Sequence, residues 1–224
     1  MSSKRRKAPP GPDLLLRHER LLRVAGRRSI AGVDEAGRGP LAGPVVAAAV
    51  IFPEECFLPG VFDSKQLTAE EREIRYALIL SHALGVGVGI VGHEIIDRVN
   101  ILNATFLAMH RALAQLPVRP DYLLIDGNRF LDIGIPFTTV VRGDALCFSV
   151  AAASIVAKVT RDRMMVDYDT QFPGYGFARH KGYATEEHRE AIARLGLCDI
   201  HRRSFHPKSQ LHLTFSSSPV HPSP

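Results

Sequence analysis

Ile30-Ala31-Gly32-Val33-Asp34-Glu35-Ala36-Gly37-Arg38-Gly39-Pro40-Leu41-Ala42-Gly43-Pro44 decides how the rest of the chain is read. An apolar run ends in two adjacent carboxylates, Asp34 and Glu35. A glycine-rich turn with one arginine follows, and then a second apolar run over 45–52. The pattern predicts strand, turn, strand, with the first strand over 29–33. Acid at a strand end, beside flexible backbone, builds a core poorly. It suits a cation held next to a phosphate.

Working outward, two more acids follow apolar runs. Asp126 closes the run 121–125, and Asp144 follows the run 135–141 after Arg142-Gly143. Strand ends on one edge of an α/β sheet come close together, and ligands bind there. Clustered carboxylates repel one another unless a cation compensates them. An all-oxygen donor set selects Mg²⁺ or Mn²⁺ over zinc. Two such ions about 4 Å apart are a common device for phosphodiester hydrolysis. Taken singly, each acid is more often a turn residue or a helix cap than a ligand; their recurrence at strand ends is what argues for a cluster. The glycines of Gly37-Arg38-Gly39 let backbone groups approach a ligand closely. Such groups can read a 2′-hydroxyl, which both donates and accepts, and so tell RNA from DNA. The ordinary alternative is a tight hairpin turn.

The remaining punctuation gives the element order. A short helix is expected over 14–24. Thr68-Ala69-Glu70-Glu71 is a capping box that opens a helix, ended by Gly85. Residues 86–91 form a strand with glycines on one face, where something bulky can pack close. Helices follow over 92–116 and 145–171, and Thr185 caps another that ends at Gly196. Between the last two lies a glycine- and aromatic-rich loop, 173–183. Hairpin, strands and interleaved helices predict an α/β fold with a mixed sheet and a small helical C-terminal part. Gly87-Val88-Gly89-Ile90-Val91-Gly92 matches G-x-G-x-x-G but lies inside a strand, so it is no dinucleotide site. His93-Glu94-Ile95-Ile96-Asp97 lacks the second histidine of a zinc-protease helix.

The chain has 224 residues, enough for one large domain or two small ones, and is 46% hydrophobic. There is no apolar run of about 18 residues and no secretory signal. The odd cysteines Cys56, Cys147 and Cys198 suit free thiols, so the expected setting is the cytoplasm, without membrane contact. The net charge of +5 is uneven, because residues 1–28 carry nine Lys/Arg against Asp13 and Glu19. Residues 1–28 are accordingly expected as a basic, disordered tail around the short helix. A second basic cluster, Arg179, His180, Lys181, Arg189, Arg194, His201, Arg202, Arg203, His206 and Lys208, is a candidate phosphate-contacting surface.

The stretch 32–45 resembles the signature of bacterial ribonuclease HII. The likeness continues in order through Asp63-Ser64-Lys65-Gln66-Leu67, Asn100-Ile101-Leu102-Asn103-Ala104-Thr105, Ile125-Asp126-Gly127-Asn128 and Gly143-Asp144. It extends over 149–162, His180-Lys181-Gly182-Tyr183 and His201-Arg202-Arg203-Ser204-Phe205. The resemblance implies an RNase H-like fold over 29–172, a helical substrate-binding extension over 173–212 and a disordered tail over 213–224. It implies an endonuclease for RNA–DNA hybrids and for single ribonucleotides in duplex DNA, acting as a monomer. Asp34, Glu35, Asp126 and Asp144 would be both catalytic and metal ligands for two Mn²⁺ or Mg²⁺ ions. Gly37, Arg38 and Gly39 would read the ribose, and Tyr183 would stack at the RNA–DNA junction. Lys65, Asn103, Ser154 and Lys158 would contact phosphates. Ribonuclease HIII is the nearest rival, but it needs a substrate-binding domain for which 28 residues before the first strand are too few.

Overall fold

The structure, a computed structural model, describes residues 10–205. The tail expected over 213–224, together with His206 and Lys208, lies outside the described residues. Five strands form one sheet in the order β3-β2-β1-β4-β5: β1 (Ile30–Ala36), β2 (Val45–Ile51), β3 (Gly85–Val91), β4 (Tyr122–Asp126) and β5 (Phe137–Val140). β1, β2 and β3 pair antiparallel, whereas β4 and β5 run parallel to β1. The sheet is therefore mixed, and the carboxyl ends of β1, β4 and β5 share one edge.

β2 reads Val-Val-Ala-Ala-Ala-Val-Ile and is buried throughout, because helices cover both faces of the sheet. α4 (His93–Ala114) packs on one face with Ala31, Val33, Ala47 and Ala49. α6 (Phe148–Gln171) packs on the other with Ala48, Val50 and Phe52, backed by α3 (Ala69–His82). Glycine permits both contacts. A Cβ on Gly32 would stand 2.1 Å from the backbone of Ser149 on α6, and one on Gly89 would stand 1.9 Å from the Ala108 carbonyl on α4. The glycine face of β3 is thus the seat of α4. The Thr68 capping box is present in full, with the Thr68 hydroxyl on the Glu71 N–H and the Glu71 carboxylate on the Thr68 N–H.

Several expectations change. The helix over 145–171 is two helices, α5 (Gly143–Leu146) and α6, separated by Cys147 in extended conformation. α4 is kinked at Asn100 (φ 68°, ψ 166°), whose side chain caps the restarting helix by accepting from the Asn103 N–H at 3.1 Å. α3 ends at His82, and Gly85 starts a strand instead of closing the helix.

The basic tail over 1–28 is corrected from Pro12 onward: α1 (Pro12–Leu15) and α2 (Arg17–Val24) are docked helices. The physical reason is apolar: Leu15 and Leu16 are buried in the α6-side core. Glu19 is also buried, and its carboxylate accepts the Ser149 N–H (2.9 Å) and hydroxyl (2.7 Å) at the start of α6. It occupies the positive end of that helix as a cap from 130 residues away. No helix among the described residues is long and apolar enough to cross a membrane.

Candidate active site

β1 ends where the sheet opens, and side-chain alternation sends its two acids to opposite faces. Glu35 shares the α4 side with Ala31 and Val33, and lines a small recess with Leu102, Thr105 and Phe106 of α4. Asp34 shares the α6 side with Gly32; the Ser154 hydroxyl of α6 hydrogen-bonds it and lies 2.9 Å from the hydroxyl of Ser64. Val33 pairs with Ile125, so Asp126, the next residue along, arrives beside Asp34 on the same edge. Its Oδ1 accepts the Gly143 N–H at 2.6 Å, tying β4 to the short helix that carries Asp144.

These residues bound a cleft of about 260 Å³ lined by Asp34, Glu35, Gly37, Arg38, Gly39, Ser64, Lys65, Asp126, Ser154, Lys158 and Tyr183. Asp144 is buried behind it and accepts from Lys65 Nζ at 2.9 Å. All of the residues singled out in the sequence are therefore brought together except Asn103. Asn103 lies on the exposed side of α4, its carboxamide donating to the Val99 carbonyl at 3.0 Å across the kink.

The electrostatics are those of unbalanced negative charge. Burial pushes the Asp34 carboxyl well above its ordinary range, and the neighbouring Glu35 and Asp126 push it further. Burial raises Glu35, partly offset by Arg38 Nη1 at 3.3 Å. Burial also raises Asp126, with Asp144 adding to it. Lys65, held by Asp144, is raised. Among the described residues no three Asp, Glu, His or Cys side chains form a finished cage for an ion. The donor set fits a hard divalent cation in its chemistry nonetheless. It offers only oxygen, it is largely buried, and its carboxylates disfavour one another's charge.

The turn after β1 is held by two arginines, Arg161, for which the sequence suggested no role, and Arg202, expected as a phosphate contact. Arg161 of α6 is fully buried and donates to the carbonyls of Pro44 (2.9 Å), Ala42 (3.1 Å) and Lys181 (3.0 Å). Arg202, also buried, donates to the carbonyls of Gly43 (2.9 Å), Arg38 (3.0 Å) and Gly37 (2.6 Å). Burial lowers the pKa of both, that of Arg202 to about 9. Gly37 has φ +92°, and a Cβ there would meet Arg161 Nε at 2.0 Å, so the position requires glycine. Tyr183 closes the cleft, its ring 3.8 Å from where a Gly39 Cβ would stand, with Lys158 Nζ and the Arg161 guanidinium each 5.9 Å from its centre.

The second basic cluster is narrower as a phosphate surface than expected, although Arg179, Arg189 and Arg203 stay exposed. Arg202, His180 and His201 are buried. Arg179 pairs with Glu187 and Arg189 with Glu186, while Arg194 donates to the Gly174 carbonyl. These side chains assemble the C-terminal extension of α7 (Phe177–His180) and α8 (Glu186–Leu195) around Tyr175, Phe177, Ile192 and Ile200.

Comparison with known proteins agrees with this geometry. The family model described as Ribonuclease HII matches residues 31–208. A ribonuclease HII of Geobacter metallireducens is 58% identical over 195 residues, 87% of this chain and 92% of that protein. Among solved structures, the ribonuclease H2 of Pyrococcus horikoshii OT3 has a TM-score of 0.67 at 28% identity, covering 79% of this chain and 93% of that one. The RNase HII of Archaeoglobus fulgidus, solved as a complex with PCNA, has a TM-score of 0.68 at 26% identity, covering 81% and 97%. The matched span begins within β1 and takes in all four acids, the turn and Tyr183. The chain belongs to the ribonuclease HII family, and with it to the hydrolases of the ribonuclease H type.

Proposed function

We propose that the cleft cuts RNA paired with DNA, and also nicks duplex DNA on the 5′ side of a single embedded ribonucleotide, leaving 5′-phosphate and 3′-hydroxyl ends. One observation carries the reading: a backbone turn fixed by buried arginines lies directly beside the acids. Arg202 takes the carbonyls of Gly37 and Arg38. Across those two planar trans peptides, the N–H groups of Arg38 and Gly39 point the opposite way. They are set to meet a 2′-hydroxyl, a group that DNA lacks.

Asp34, Glu35, Asp126 and Asp144 would hold two Mg²⁺ or Mn²⁺ ions, which when bound supply the Lewis acidity and the water nucleophile of phosphodiester hydrolysis. The chain's own groups do the rest. Arg38 and Lys65, now balancing Glu35 and Asp144, turn to phosphate once the acids are neutralised. Lys158 and Ser154 line the same wall. Tyr183 stacks on the deoxyribose after the ribonucleotide. Contacts directed at phosphates hold the duplex without reading its sequence. The enzyme works as a monomer.

The test is a DNA duplex carrying one ribonucleotide, incubated with Mg²⁺ or Mn²⁺ and resolved on a sequencing gel. A nick 5′ to the ribonucleotide is expected, and an uncut duplex with both ions would sink the reading.

A further inference from the structure

We propose that His188 and His201 are positioning residues, which fix Tyr183 relative to the Gly37-Arg38-Gly39 turn through a one-way chain of hydrogen bonds between neutral imidazoles. The proposal rests on the reading that Tyr183 stacks on substrate.

Both rings are buried, and each nitrogen has an assigned task. His188 Nδ1 lies 2.9 Å from the Tyr183 carbonyl, which can only accept, so Nδ1 carries the proton. His188 Nε2 is then an acceptor, and His201 Nε2, 3.1 Å away, must donate to it. In the neutral ring that leaves His201 Nδ1 bare; the Cys198 N–H donates to it at 3.0 Å, and the Cys198 carbonyl stands further off at 3.2 Å. The opposite tautomers would set a bare nitrogen against the Tyr183 carbonyl. His180 is fixed separately: Gly182 N–H donates to its Nδ1 (3.1 Å), and its Nε2–H donates to the Tyr175 carbonyl (2.8 Å).

The far end of the chain is anchored on the turn. Gly43 N–H donates to the Ile200 carbonyl and Arg202 N–H to the Leu41 carbonyl, so His201 forms a bridge with Ala42. Arg202, the next residue, grips Gly37 and Arg38. The path therefore runs from the ribose-reading turn through His201 and His188 to the backbone of Tyr183. A proton added to His188 would fall on Nε2 and bring two N–H groups head to head at 3.1 Å, whereas one added to His201 would fall on Nδ1, against the Cys198 N–H. Burial opposes that, holding His188 down at about 4 and lowering His201 as well. The surrounding titratable groups include His180, stacked on His188 at 4.4 Å, Tyr175, 5.2 Å from the His201 ring, then His93, Cys198 and, on the helix of His188, Glu187.

The experiment uses the full chain and compares kcat/KM on a single-ribonucleotide duplex with that on a long hybrid. His188→Phe removes both hydrogen bonds, and His188→Asn keeps a donor near the Nδ1 position. His188→Phe should lower the single-ribonucleotide preference about tenfold, the consequence of losing a buried hydrogen bond. Tyr183→Ala should lower it similarly, the double variant should be no worse than Tyr183→Ala, and His188→Asn should restore most of the preference. A normal preference in His188→Phe, with a reduced one in Tyr183→Ala, overturns the proposal alone. A normal preference in Tyr183→Ala overturns the stacking reading and the proposal with it. Should His188→Phe fail to fold, ¹⁵N imidazole spectra of the wild-type chain at pH 7 decide. Protons on His188 Nδ1 and His201 Nε2 support the chain; a proton on His188 Nε2, or a cationic ring, overturns it.

Discussion

Replacing Gly37 by alanine separates the clamp under the turn from the chemistry above it. At φ +92° an L side chain is strained, at a cost of about 1–2 kcal/mol. The new methyl would stand 2.0 Å from Arg161 Nε, 2.4 Å from its Cδ and 2.7 Å from the Pro44 carbonyl. Arg161 cannot swing aside cheaply, because it is fully buried and its other two donors are held by Ala42 and Lys181. Breaking its bond to Pro44 costs a further ~1.5–3 kcal/mol, the range for a hydrogen bond from a charged group. The sum is about 2.5–5 kcal/mol, a large share of the ~5–15 kcal/mol that stabilises an ordinary fold. Gly39→Ala is the control. Gly39 has no positive φ, and its Cβ would meet only the Tyr183 ring, at 3.8 Å. It should cost under ~1 kcal/mol and yet impair cutting at a single ribonucleotide, since the methyl projects toward the substrate wall. Urea denaturation followed by circular dichroism, with both cleavage assays, measures the pair. A Gly37→Ala loss below about 1 kcal/mol, or equal losses in the two variants, would refute the clamp.

Asp34→Asn should abolish cutting while hybrid binding persists, and wild-type turnover would remove Asp34 from the site. In chelator the same variant should be more stable than wild type, by a margin that depends on pH. A carboxyl whose folded pKa is raised costs stability above that pKa, and the cost disappears as pH falls below its unfolded value near 4. The gap should therefore be widest near neutral pH and close in acid; a gap that widens in acid would contradict the burial argument. Glu19→Ala should lose about 1–2 kcal/mol by uncapping α6, whereas Glu19→Gln, which keeps an acceptor for Ser149, should lose less. Equal midpoints for Glu19→Ala and wild type would mean that α6 needs no cap from α2. Gly89→Ala should destabilise by roughly 3 kcal/mol or more, because the atom it meets is α4 backbone. Unchanged thermal melting would show that α4 can move off the sheet.

What the sequence made legible is what depends on neighbours in the chain. Thr68 and Glu71 sit three residues apart and form their box locally; the apolar runs before Asp34 and Asp126 are strands wherever they fall. The four acids could be picked out because strand ends recur at one sheet edge. Two of the misses depend on distant partners, and two on local breaks in a helix. Arg202 reads as a surface cation until Gly37 and Arg38, over 160 residues earlier, present it with carbonyls. Glu19 reads as part of a solvated arm until Ser149 needs an acceptor. Asn103 looks like a phosphate ligand by motif, but the Asn100 kink turns its carboxamide onto Val99. A helix break at Cys147 carries no glycine or proline to announce it.

The two buried arginines have one more consequence. Their partners in the turn are dipoles, not ions, so nothing in that grip has a charge for a metal or a proton to neutralise. Divalent cation at the proposed site would shift the balance of the carboxylates and free the Arg38 side chain from Glu35, but leave the backbone of the turn in the same grip. On the proposed function, the protein would hold a ribonucleotide without divalent cation and cut it only when the ions return.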